Sequence, residues 1–205
     1  MPWLLPRALH DIESWNEALC AGSRGRALAR LGEVVRRAVD LEHWAAFRKS
    51  FDRLARWFGH VGRGEHGSPA PATITVLSGD VHHTYVSEAD YPTPLASRVY
   101  QVTCSPIHNT IPLPMKLVFR FGWSRTIERL VRFLARWTKV PPLEIQWHHP
   151  TGPHFGNTLA QLTFEGREAS VLIERAIDRA GLGQPSDPDI VKTAELSLTS
   201  APRRR

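Results

Sequence analysis

Hydrophobic positions recur at helical spacing through the first 60 residues and at strand spacing through most of the next hundred. Leu9, Ile12, Trp15 and Leu19 return every three or four residues and predict an amphipathic helix over 8–20. A second helix, rich in arginine, is expected over 24–39. The third follows Asp40, a residue type suited to an N-cap, because Trp44, Phe47, Phe51, Leu54 and Phe58 repeat at intervals of 3, 4, 3 and 4. Such an aromatic stripe reads as core packing rather than a cofactor box.

Residues 61–71, Val-Gly-Arg-Gly-Glu-His-Gly-Ser-Pro-Ala-Pro, have the glycine and proline density of a loop and end the helical part. The chain then changes period. Ile74, Val76 and Leu77 between threonines predict a buried strand, and 84–89 and 98–103 predict two more, with Pro92 and Pro94 in the turn between them. Further strands are expected over 143–147, 157–164 and 169–174, the last two joined by a hairpin turn at Glu165-Gly166. From about Ala180 onward Gly, Pro, Ser and Asp accumulate and predict a disordered tail. The fold class is therefore mixed α/β of the α+β kind. It divides into a helical segment over 1–64, a β core with a basic helix over 65–178, and the tail over 179–205.

Composition narrows the partners. With 42% hydrophobic and 22% charged residues in 205, the chain can bury a core of its own. No apolar run reaches the roughly 18 residues that cross a bilayer, so no membrane span is expected. Met1-Pro-Trp-Leu-Leu-Pro6 is too short and too broken by proline to be a signal peptide. Cys20 and Cys104 cannot make a disulfide framework, which predicts a reduced, cytoplasmic setting by default.

The formal charge of +6 favours anionic partners, with Arg203-Arg204-Arg205 as a solvated contribution. The densest basic stretch is 116–139, where Arg125, Arg129, Arg132 and Arg136 share one helical face and Ile127, Leu130, Val131 and Leu134 another. The arginines are expected as the solvated face of a packed helix, with a phosphate-attracting rim or a membrane-surface contact as the alternatives. Aromatic residues lie on apolar faces and are not interleaved with the charge, so no nucleic acid is expected as a partner.

The candidate chemistry sits in Thr73-Ile-Thr-Val-Leu-Ser-Gly-Asp-Val-His-His-Thr-Tyr85. A strand running into Gly79 presents Asp80 and His82, an oxygen and a nitrogen ligand spaced i, i+2 on a rigid support, as a hydrolytic metal site requires. His83 alternates to the other side of an extended backbone, where Tyr85 joins it, and both are expected near a substrate or in support. His148, His149 and His154 are punctuated by prolines and predict a surface loop. Cys104, Ser105, His108 and Asn109 lack an orienting acid, which argues against nucleophilic catalysis.

Val76-Leu-Ser-Gly-Asp-Val-His-His-Thr-Tyr-Val86, followed by Ser97-Arg-Val-Tyr-Gln-Val-Thr-Cys-Ser-Pro-Ile-His-Asn109, resembles the PhoD-like branch of the calcineurin-like metallophosphoesterases. Trp44-Ala-Ala-Phe-Arg48 and Gly152-Pro-His-Phe-Gly-Asn157 extend the resemblance over about residues 3 to 176. It implies part of a metallophosphoesterase β-sandwich and a binuclear centre of Ca, Fe, Mn or Zn ions that hydrolyses phosphate esters. Gly79-Asp80-Val81-His82 matches the last metal-binding motif, where relatives carry Gly-His-x-His. Asp80 and His82 would be ligands, His82 the catalytic residue, and His83, Tyr85 and Asn109 neighbours of the substrate. The family's earlier metal motifs do not precede Gly79. The resemblance therefore implies the carboxyl-terminal portion of a longer phosphatase, inactive alone and partnered by a missing amino-terminal half. An export signal would sit on that missing half.

Overall fold

Helical and strand periods both become regular structure in a computed structural model, which describes residues 1–39, 43–65, 67–79, 83–104, 122–177 and 189–199. The described helices are α1 (Arg7–Cys20), α2 (Arg26–Val39), α3 (Arg48–Arg63) and α4 (Arg125–Trp137), with a 3-10 turn at Trp44–Ala46. The strands are β1 (Thr73–Gly79), β2 (His83–Asp90), β3 (Arg98–Cys104), β4 (Gln146–Phe155), β5 (Thr158–Glu165), β6 (Glu168–Ile177) and β7 (Asp189–Ser197). The protein is of the α+β class, in two compact units. One comprises Met1–Ala55 with Pro112–Glu144, the other Arg56–Ile111 with Ile145–Arg205.

In the helical unit α1 is the central element, and α2 and α4 both pack on it. The basic helix α4 thus belongs with the amino-terminal helices and not with the β core beside which it falls in sequence. Its buried residues Val131 and Ala135 make that contact face. Burial of α1 is wider than the stripe Leu9, Ile12, Trp15 and Leu19 suggests. His10, Asp11, Glu13, Ser14 and Asn16 are all buried. A helix covered on several sides has no face left for polar residues, so these meet partners inside. Ser14 Oγ donates to the Ala45 carbonyl at 3.4 Å, His43 Nδ1 lies 2.6 Å from Glu13 Oε1, and Arg132 Nε lies 3.6 Å from the Asp11 carboxylate.

The third helix begins later than its aromatic stripe. Trp44 falls in the 3-10 turn, Phe47 is exposed in the break, and Phe51 is the stripe residue that reaches the core. Phe51 packs between the Trp3 and His10 rings at centroid distances of 5.5 and 4.9 Å. Asp40, the expected N-cap, lies outside the described residues. Arg48 fixes the start of α3, with Nε 2.8 Å from an Asp52 oxygen and its terminal nitrogens donating to the Pro141 and Pro142 carbonyls at 2.9 and 2.6 Å. Both α1 and α4 close in Schellman motifs. Ser23 and Gly22 N–H groups return to Ala18 and Leu19, and those of Val140 and Lys139 to Ala135 and Arg136. The left-handed position is Gly22 (φ 81°) in α1 and Lys139 (φ 62°) in α4.

The second unit packs a four-stranded sheet, order β1-β3-β2-β4, on a three-stranded antiparallel sheet, order β5-β6-β7. Between them lie Val86, Tyr100 and Val102 from the first and Ala169, Val171, Ile173 and Leu198 from the second. Gly166 (φ 60°) opens the two-residue connection between β5 and β6, as the sequence predicts for that hairpin.

Two expectations are corrected here. Residues 189–197, placed by sequence in a disordered tail, form β7 along β6 from Ser170↔Ser197 to Ile177↔Asp189. Ala194, Leu196 and Leu198 alternate onto the sandwich core, a strand period that the Gly, Pro and Asp content of 181–188 hides. The prolines of 146–155 do not make a loop. They sit in β4, an edge strand that pairs β2 with two irregularities, Thr84↔His154 to Val86↔Thr151 and Val86↔Thr151 to Glu88↔His148. Each inserts one extra residue in β4, and Pro153 and Pro150 occupy those intervals, where a missing N–H is tolerated.

Candidate functional site

β1 and β3 are parallel and in register from Thr73↔Arg98 to Gly79↔Cys104, so their carboxyl ends coincide. β2 is antiparallel to β3, with Tyr85 opposite Thr103, and therefore starts at that same end. β3 lies between β1 and β2. Gly79, in register with Cys104, and His83, the first residue of β2, thus lie at the same end of the sheet, and only three residues of sequence separate them. Those three include Asp80 and His82. Asp80, His82 and Asn109 lie outside the described residues, as do Ser105 and His108. The described part of the site is the end of the sheet from which both motifs depart.

The sheet face opposite the sandwich core is buried and largely polar toward this end. Ser78 Oγ and Thr103 Oγ1 are 2.8 Å apart, bridging β1 and β3, and Gln101 Nε2 donates to Thr103 Oγ1 at 2.9 Å. His83 and Tyr85 project from this side, as alternation predicts. Their rings stack at 5.1 Å, and His83 also stacks at 5.9 Å on Phe155, its cross-strand partner in β4. Both side chains are buried. They wall the start of β2, the residue that follows His82, and fix the direction in which the strand leaves the site.

His149 completes the wall and was not legible as part of it. Its ring meets Tyr85 edge-on at 5.5 Å, and its Nδ1 is 3.0 Å from Ser87 Oγ. The bulge beside it breaks the simple alternation that would have linked Trp147, His149 and the sheet face. His148 turns outward, 3.0 Å from Asp90 and 3.5 Å from Glu88. His154 Nε2 is 2.7 Å from Thr151 Oγ1, and burial, with a smaller contribution from Arg175, holds its pKa below the ordinary value. On the core side the half-buried Cys104 has its Sγ 3.6 Å from the Thr158 carbonyl.

Gly152 makes the close β2–β4 approach possible. With φ 106°, a Cβ there would fall 2.5 Å from Tyr85 Cβ and 2.9 Å from Tyr85 Cα. Among the described residues no group of three or more His, Cys, Asp or Glu side chains could hold a metal ion. No described helix is long and apolar enough to cross a membrane. The fold and site define an α+β protein with a polar strand-end site in a mixed sheet. No family model, curated protein or solved structure matches the chain.

Proposed function

We propose that this chain is the carboxyl-terminal part of a PhoD-like metallophosphoesterase, a phosphoric ester hydrolase, with Asp80 and His82 as metal ligands. One observation carries the reading. The Asp80-Val81-His82 link is bounded by Gly79 and His83, which lie at the same sheet end as Cys104, and the Ser105-Pro-Ile-His-Asn109 motif continues from Cys104. Two motifs about 25 residues apart in sequence thus leave from one sheet end, the usual location of sites in open sheets.

The donor set suits Ca, Fe, Mn or Zn, and such ions, when bound, would polarise a phosphoryl group and lower the pKa of water. In this chain Asp80 and His82 would hold the ions, and His83 with Tyr85 would hold the strand that presents them. Asn109 would face the ester. Two ligands are fewer than the three or four of a preorganised site, so the ions and the reaction depend on an amino-terminal half that supplies the earlier motifs. The alternative is a non-catalytic remnant or binding module, favoured by the absence of those motifs before Gly79.

Hydrolysis of an aryl phosphate ester with added Ca²⁺, Fe³⁺, Mn²⁺ or Zn²⁺ tests the dependence on a second half. The chain alone should show negligible turnover. Robust turnover that Asp80→Asn and His82→Ala abolish would overturn that dependence. The DNA immediately upstream of the Met1 codon should encode the missing motifs, and unrelated sequence there would favour the remnant.

A further inference from the structure

The helical unit carries an exposed surface that the proposed reaction does not use. On α4, Leu130, Phe133 and Trp137 are 57, 66 and 42% exposed. At 3.6 residues per turn they fall within about 60° of arc, and Arg125, Arg129 and Arg136 within about 40° immediately beside them. These three arginines are exposed, while Val131 and Ala135 on the opposite side are buried in the unit. α4 is thus amphipathic in two ways: one apolar face is packed inside, and a second apolar stripe lies in solvent next to a cationic one. The only acid on the helix, Glu128, is paired to Arg132.

α2 repeats the arrangement. Leu31 and Val34 are 56 and 64% exposed, beside exposed Arg26, Arg30 and Arg37. Its single acid, Glu33, is held by Arg36 and Arg37 at 2.9 and 2.8 Å. Just before α2, the Arg24 guanidinium lies 4.7 Å over the Trp137 ring of α4. Each helix carries four arginines against one glutamate.

We propose that the exposed face of α4, with α2 as a second contact, docks on an anionic phospholipid surface. Charge complementarity selects the occupant. A nucleic acid would satisfy the arginines and leave Leu130, Phe133 and Trp137 in water. A bilayer surface accepts both stripes at once, phosphate and carboxylate headgroups against the guanidinium groups and acyl chains just beneath them against the aromatic and aliphatic side chains. Trp137, whose indole carries a polar N–H on an apolar body, suits the boundary between the two layers.

The test is co-sedimentation of the full chain with phosphatidylcholine vesicles containing about 30% phosphatidylserine, against phosphatidylcholine alone. The bound fraction should be about tenfold higher on the anionic vesicles and should fall steeply in about 0.5 M NaCl. Arg129→Glu with Arg136→Glu should abolish it, and so should Leu130→Ser with Phe133→Ser, with unchanged circular dichroism. Equal binding to both vesicles, or binding that survives both pairs, would overturn the proposal. Should a pair fail to fold, acyl-chain bromination offers a second readout. Brominated lipids should quench the tryptophan fluorescence of the unaltered chain, and less so that of Trp137→Phe. Equal quenching would contradict insertion. Self-association that the same variants abolish, in a chain that ignores vesicles, would assign the face to a second copy instead.

Discussion

His10 shows how a single residue ties burial to acid sensitivity. It is closed inside the helical unit against Phe51, and burial first, then the neighbouring Arg7 and Arg48 charges, lower its pKa from 6.5 to about 3. The unfolded chain therefore binds a proton that the folded chain refuses. The stability associated with His10 is complete above pH 6.5 and is lost as the pH falls towards 3, amounting to about 2 kcal/mol by pH 5. Asp11 acts in the opposite sense, since burial raises its carboxyl pKa against the pull of Arg7 and Arg132. Urea unfolding of His10→Leu should lose less stability between pH 7 and pH 5 than the unaltered chain; an equal loss would contradict a neutral, buried His10. Gly152 is the second residue on which much depends. Gly152→Ala places a methyl against the Tyr85 backbone at a left-handed φ and should cost about 2–4 kcal/mol, read as a lower urea midpoint. A midpoint unchanged from the native chain would mean that β4 does not approach β2 this closely.

At the scale of elements, the fold was legible wherever the hydrophobic positions keep a regular helix or strand period. The hydrophobic periods locate α1, α2, α4, β2, β3, β5 and β6 to within a few residues. The failures have physical causes. The central helix α1 buries polar residues that a one-faced pattern assigns to solvent. β4 carries Pro150 and Pro153 in bulged intervals of an edge strand, the circumstance in which proline ceases to signal a loop. β7 is separated from β6 by a Gly- and Pro-bearing stretch that masks the alternation of Ala194, Leu196 and Leu198. Leu198 is fully buried, so Leu198→Ala should destabilise the β unit by about 2–5 kcal/mol. Removal of 189–205 should cost that unit its cooperative unfolding. A truncated chain with an unaltered melting curve would return these residues to the role of a tail.

At the scale of the whole molecule, the two motifs of the proposed site were legible, and the shared sheet end of the strands that flank them was not. Gly79-Asp80-Val81-His82 and Ser105-Pro-Ile-His-Asn109 are ordinary segments until strand order brings Gly79, His83 and Cys104 to one sheet end. The pairing of His83 with Tyr85 follows from alternation along a strand, whereas Phe155 joins them through the β2–β4 pairing and His149 through the bulged register of β4. As proposed ligands, Asp80 and His82 would be half of a binuclear set, leaving a strand end at Gly79 and entering one at His83. The most direct measurement is turnover of an aryl phosphate ester, with Mn²⁺ or Ca²⁺, by this chain mixed with the polypeptide encoded immediately upstream of it. The mixture should be active, neither part alone should be, and Asp80→Asn or His82→Ala should abolish the activity. A mixture whose turnover both substitutions leave intact, or one that never turns over, would contradict the proposed function.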